Sequence, residues 1–105
     1  MKKVYYSVQA AEDLENIFYG LAFWEKHHLE LSEVISYVRA IRKECDNLGN
    51  VFIHQKCKYE IHKQYGTYVS LYRRTSLTVW YFIYNIDNDE NIRVEKIINN
   101  HITKE

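Results

Sequence analysis

A chain of 105 residues has room for one domain around one core and too little for two. Its composition, 47% hydrophobic and 27% charged, excludes a disordered chain, and no apolar run approaches the roughly 20 residues of a membrane-spanning helix. With 14 basic and 14 acidic residues the formal net charge is zero, which excludes binding to nucleic acid through a gross basic excess.

Residues 2–6 (KKVYY) are β-branched and aromatic and predict a first strand. Ser7 is placed to cap a helix, because its hydroxyl can accept from backbone N–H groups two or three residues on. Glu12 and Asp13 fall in the opening turns, where negative charge suits the helix dipole. Leu14, Ile17, Phe18, Leu21 and Trp24 keep helical spacing, so the first helix is expected over residues 9–26. His27 to Glu30 read as a short surface connection. A second helix follows, with Leu31, Val34, Ile35, Val38, Ile41, Cys45 and Leu48 on one face and Arg39, Arg42, Lys43 and Glu44 on the other. Gly49 stands where a left-handed C-terminal cap is expected. Two such helices joined by so few residues form an antiparallel hairpin.

Past Gly49 the period changes to two. Cys57, Tyr59 and Ile61 alternate with Lys58, Glu60 and His62, which predicts a strand over residues 56–61. Tyr65-Gly66-Thr67 turns, residues 68–73 (YVSLYR) form a strand, and Thr75-Ser76 turns again. Residues 77–86 (LTVWYFIYNI) are the most apolar run and predict a central strand buried on both faces. Residues 87–91 (DNDEN) are a polar hairpin loop, residues 92–98 (IRVEKII) the last strand, and the tail is short and polar. The expected class is α+β. The order is β-α-α-β-β-β, with the first strand and helical hairpin on one face of an antiparallel sheet, in a single domain over residues 1–105.

The two cysteines, Cys45 and Cys57, lack paired spacing and are expected to be free thiols, not disulfide or metal ligands. No basic start followed by an apolar run suggests a signal peptide, so a cytoplasmic chain is expected. No motif asks for a cofactor or a metal. Asp87, Asp89 and Glu90 lack the glycine and distal glutamate of a calcium loop. Charge is uneven: residues 1–50 carry six Lys/Arg and eight Asp/Glu, and residues 51–105 carry eight and six. Between His54 and Arg74, five cations face Glu60 alone. The ten tyrosines supply contact area with a polar tip.

The opening VYYSVQAAEDLENIF, with Ser7, Ala10 and Asp13-Leu14, resembles the start of the RelE/ParE superfamily of plasmid-stabilisation toxins. The closing VWYFIYNIDNDENIRVEKIINNH resembles that family's last hairpin: an aromatic strand, an acidic turn and a strand ending in a polar, His-containing tip. Val8 stands where the family often has proline. The central-strand Arg of many members is replaced here by Trp80 or Tyr81. The resemblance implies a toxin neutralised by a cognate antitoxin, and either of two targets: messenger RNA in the ribosome (RelE-like) or DNA gyrase (ParE-like). A non-catalytic interaction module on the same fold is the alternative.

Metal-independent RNA cleavage needs a base for the 2′-hydroxyl, cations for the phosphorus-bound charge and an acid for the leaving oxygen. Arg73 and Arg74 suit the phosphate. His101, just past the last strand, suits the acid. His54, His62 and Glu60 are weaker acid–base options. Lys56, Lys58 and Lys63 offer a basic track, and Tyr72 and Tyr81, with Tyr68 and Tyr84, offer stacking faces for bases. Each has a plainer reading: a solvated strand end for the arginines, edge-strand solubility for the lysines, an exposed tail for His101 and sheet filling for the tyrosines.

Overall fold

A computed structural model describes residues 2–23 and 29–101. Trp24, Lys26, the His27-His28 connection and residues 102–105 of the tail lie outside the described residues. The elements are β1 (Val4–Tyr6), α1 (Val8–Phe23), α2 (Leu31–Asp46), a 3-10 turn (Asn47–Asn50), β2 (Gln55–Lys56), α3 (Glu60–Lys63), β3 (Tyr68–Arg73), β4 (Val79–Ile86) and β5 (Ile92–Asn99). The strands form one sheet in the order β1-β5-β4-β3-β2. β1 pairs parallel with β5 and every other pairing is antiparallel, so the sheet is mixed. The class is α+β, with both long helices on one face.

That face carries the main core. Ala10 and Leu14 of α1 and Ile41 and Cys45 of α2 meet Trp80, Phe82 and Tyr84 of β4 and Ile92, Val94 and Ile97 of β5. A bulge in β5 makes this set possible. The register steps from Ile83↔Lys96 to Tyr84↔Val94, so Glu95 is the extra residue. Without it, strict alternation from Ile92 and Val94 would turn Lys96 toward the helices. With it, Ile97 takes that place and Lys96 goes to the opposite face.

Ser7 caps α1 as its position predicts: Oγ accepts from Ala10 N–H at 3.0 Å and also donates to the Glu95 carbonyl at 3.1 Å. Asp13 does something its position does not predict. It is buried, and its carboxylate accepts from the Ile97 N–H and the Lys96 ammonium, each at 2.9 Å. It therefore closes the edge of β5 beyond the last residue that β1 covers.

Gly49 is also a correction. It has no positive φ, so it is not a left-handed cap. A Cβ there would lie 2.4 Å from the Lys2 carbonyl oxygen, and glycine is needed because the chain entering β1 passes so close. The expected strand over residues 56–61 is corrected too. Only Gln55 and Lys56 pair with β3, and the chain then coils into the single turn of α3. Ile61 is exposed and His62 is buried, the reverse of the alternation. The 87–91 loop is a hairpin turn: Asp87 Oδ1 accepts from Asp89 and Asn91 N–H, and Glu90 takes φ 65°. Among the described residues, no helix is long and apolar enough to cross a membrane.

Candidate functional site at the sheet end

The turn from β3 to β4 and the end of β5 are tied into one knot. Arg74 and Thr75 N–H both donate to the Thr78 carbonyl, at 3.0 and 3.3 Å. The Thr75 hydroxyl oxygen accepts from Leu77 and Thr78 N–H. Asn100 locks β5 onto this turn: its N–H donates to the Val79 carbonyl, its Oδ1 accepts from Val79 N–H, and its Nδ2 donates to the Leu77 carbonyl. His101 follows directly, with its N–H on Asn99 Oδ1 and its Nε2 3.1 Å from the Thr78 hydroxyl.

Thr78 thus joins the two sequence-predicted groups. Its carbonyl holds the Arg74 backbone and its hydroxyl meets the His101 ring. The Arg74 guanidinium turns toward α2, lies 4.5 Å from the Tyr37 ring centre and donates to the Tyr72 hydroxyl at 3.1 Å. A cation over an aromatic face is held electrostatically and keeps its outward N–H groups. Tyr37 is itself fixed, because its hydroxyl accepts from Trp80 Nε1–H at 3.2 Å.

Two depressions meet at Tyr37. The larger, about 910 Å³, runs between α1 and β5, with Ile17, Gly20 and Leu21 on one wall and Trp80 and Ile97 on the other, and it reaches Thr78 and His101. Ile61 and Tyr65 also line it, and the Asp13–Lys96 pair sits in it. The smaller depression carries Arg74 with Ser32, Glu33 and Ser36 of α2. Glu33 accepts from Glu30 N–H at 3.4 Å, which anchors it in the first turn of α2.

The remaining predicted residues are not brought here. Arg73 lies on the face opposite Tyr72 and donates to the Ser76 carbonyl at 3.4 Å, so the adjacent arginines diverge. Lys56 and Lys58 are exposed at the β2 side of the sheet. Lys63 pairs with Glu60 at 3.5 Å. Tyr81 packs on the outer face, its ring centre 4.7 Å from that of His62. His54 Nδ1 is 2.8 Å from the Tyr84 hydroxyl, whose pKa burial pushes up to about 12, with Tyr68 and Cys57 adding to the rise. Both cysteines are free, as expected, and burial pushes each thiol up, so neither is an activated nucleophile. No group of three or more His, Cys, Asp or Glu among the described residues is arranged to hold a metal ion.

Tyr37, Thr78 and Glu33 are absent from the sequence-based set. Only Tyr37 leaves a signal: it is an aromatic with a polar tip beside an otherwise aliphatic helical stripe. No family model matches the chain, and neither curated proteins nor solved structures show a significant match to it.

Proposed function

We propose that the chain is a toxin of RelE/ParE type that cleaves RNA without a metal and is held inactive by a cognate antitoxin. The observation that carries this reading is the Thr78 junction: its carbonyl holds the Arg74 backbone, its hydroxyl meets the His101 ring, and the depressions lined by Arg74 and by His101 share Tyr37. Phosphodiester cleavage needs a cation for the phosphate and an acid for the leaving oxygen, and the two adjoining depressions present one of each residue type. In this reading Arg74 binds the phosphate and His101 protonates the leaving 5′-oxygen. Glu33, which lines the depression beside Arg74, takes the 2′-hydroxyl proton. The 2′-oxygen bonds to phosphorus as the 5′-oxygen leaves, so one proton is removed and one is supplied. The action is cytoplasmic.

The antitoxin has a natural docking edge. β2 covers only Tyr68 and Val69 of β3, and the rest of that strand continues to Arg73 past exposed Leu71. An added strand would pair there. A binding-only toxin directed at DNA gyrase is the second reading, and the neutral net charge favours it.

Induced expression without a neighbouring antitoxin tests the proposal. Growth arrest with cleavage of ribosome-bound messenger RNA is expected. Arg74→Ala and His101→Ala should each lower the cleavage rate by about 100-fold or more, typical for loss of an electrostatic or acid–base group. Glu33→Gln, which keeps the helix-start hydrogen bond, should lower it similarly, and Arg73→Ala should leave it unchanged. Unimpaired growth removes the toxin reading. Growth arrest with intact RNA and lost DNA supercoiling replaces it with the gyrase reading.

A further inference from the structure

The outer face of the sheet carries a small second core: Cys57, Val69, Ile83 and Ile98, with Tyr65 and Tyr81 packed against it. His62 of α3 is set into this face. Its ring centre lies 4.7 Å from that of Tyr81 and 5.6 Å from that of Tyr59. The residue is 3% exposed, and neither ring nitrogen has a hydrogen-bond partner among the described residues. That is an unusual place for a polar ring, because buried polar groups are ordinarily paired.

The charged and titratable groups around it do not offer a counter-charge. Lys63 is paired with Glu60 and also faces the Cys57 thiol. Lys96 of β5 lies 5.3 Å from the Tyr65 ring centre and pairs with Asp13. The rings of Tyr59 and Tyr81 that flank it bring no carboxylate, and burial pushes the Cys57 thiol up. An imidazolium would sit there almost wholly shielded from bulk solvent and without an anion. Burial accordingly pulls the His62 pKa below its ordinary value.

The backbone of α3 is free to respond. His62 and Lys63 N–H donate to the Tyr59 carbonyl, Gln64 N–H to Glu60 and Tyr65 N–H to His62. These bonds are internal to the turn. The flanks are fixed to the sheet instead, by Cys57 N–H on the Thr67 carbonyl and Thr67 N–H on Asn85 Oδ1, both at 2.9 Å. The segment between Cys57 and Thr67 is therefore a closed loop whose middle is held down by side chains.

We infer that α3 is a proton-operated flap: neutral His62 seats it on the outer sheet face, and protonation of the ring lifts it, baring Cys57 and removing the groove wall formed by Ile61 and Tyr65. The inference is independent of RNA cleavage. The sign follows from proton linkage. The seated state holds neutral imidazole and the lifted state titrates near 6.5, the ordinary value. Seating is complete above that pH. Below it, the seated-to-lifted ratio falls by about tenfold per pH unit until the depressed seated pKa is reached.

Thiol labelling by 4,4′-dithiodipyridine reads the flap, with each rate normalised to a small free thiol at the same pH. Cys45, fully buried in the main core, reports global unfolding in the same sample. Between pH 6.5 and 5.5 the normalised Cys57 rate should rise about fivefold while Cys45 stays protected. In His62→Leu the rise should vanish. Equal acid dependence in both proteins, or parallel labelling of the two cysteines, overturns the inference. Should His62→Leu fail to fold, the NMR titration of His62 in the unsubstituted protein decides. A midpoint well below 6.5, with α3 amide protection lost on the same curve, supports the flap. An ordinary midpoint with unchanged protection rejects it.

Discussion

The two faces of the sheet are built differently. The helix-covered face buries Trp80, Phe82 and Tyr84 of the central strand under two 16-residue helices. The outer face buries Val69, Ile83 and Ile98 under one turn of four residues, and the residue pressed into it is a histidine. The first arrangement spreads apolar contact over two long elements. The second concentrates it beneath one short turn and adds an unpaired polar ring. A single sheet can thus carry a face that opens only on global unfolding beside one that opens locally.

Core truncation should draw this contrast most sharply. Phe82→Ala, on the helix side, is expected to lower stability by roughly 3–5 kcal/mol, measured by urea unfolding. Val69→Ala, on the outer side, should cost about 1.5 kcal/mol. Comparable losses would mean that both faces unfold as one. At the edge joining the faces, Asp13→Asn leaves the largely buried Lys96 ammonium without its carboxylate and should cost about 2–3 kcal/mol. Adding Lys96→Met should recover most of that. A double variant as weak as the single one would show that the loss does not come from the unpaired Lys96 ammonium. Gly49→Ala is expected to cost about 1–3 kcal/mol, because the new methyl meets the Lys2 carbonyl. Slower hydrogen exchange in β1 of that variant would contradict the close approach as its cause.

Much of the fold is legible in the sequence where one period dominates. The apolar stripe of α2 buries Val34, Ile41 and Cys45 although its first member, Leu31, stays exposed, the run through β4 fills both faces of the sheet, and the acidic 87–91 turn needs only local chemistry. The parts that are not legible depend on partners distant in the chain. Nothing local separates the alternation at Cys57-Tyr59-Ile61 from a strand, because what reverses it is the Tyr81 ring that receives His62. Asp13 reads as a helix-dipole residue until Ile97 arrives above it. The arginine pair is the clearest case for the site. The residue types are visible in the sequence. Their divergence arises because Arg73 is the last residue of a strand, whereas Arg74 has left it and comes under the Tyr37 ring. Glu33 reaches the site only through helix packing, which no spacing rule encodes.

The parallel pairing of Val4, Tyr5 and Tyr6 with Ile92, Arg93 and Val94 joins segments 88 residues apart in sequence. Closing so long a loop costs more conformational entropy than closing the short hairpins from β3 to β4 and from β4 to β5. The edge strand β1 is therefore expected to dock last in folding, its amides gaining protection after those of β4 and β5.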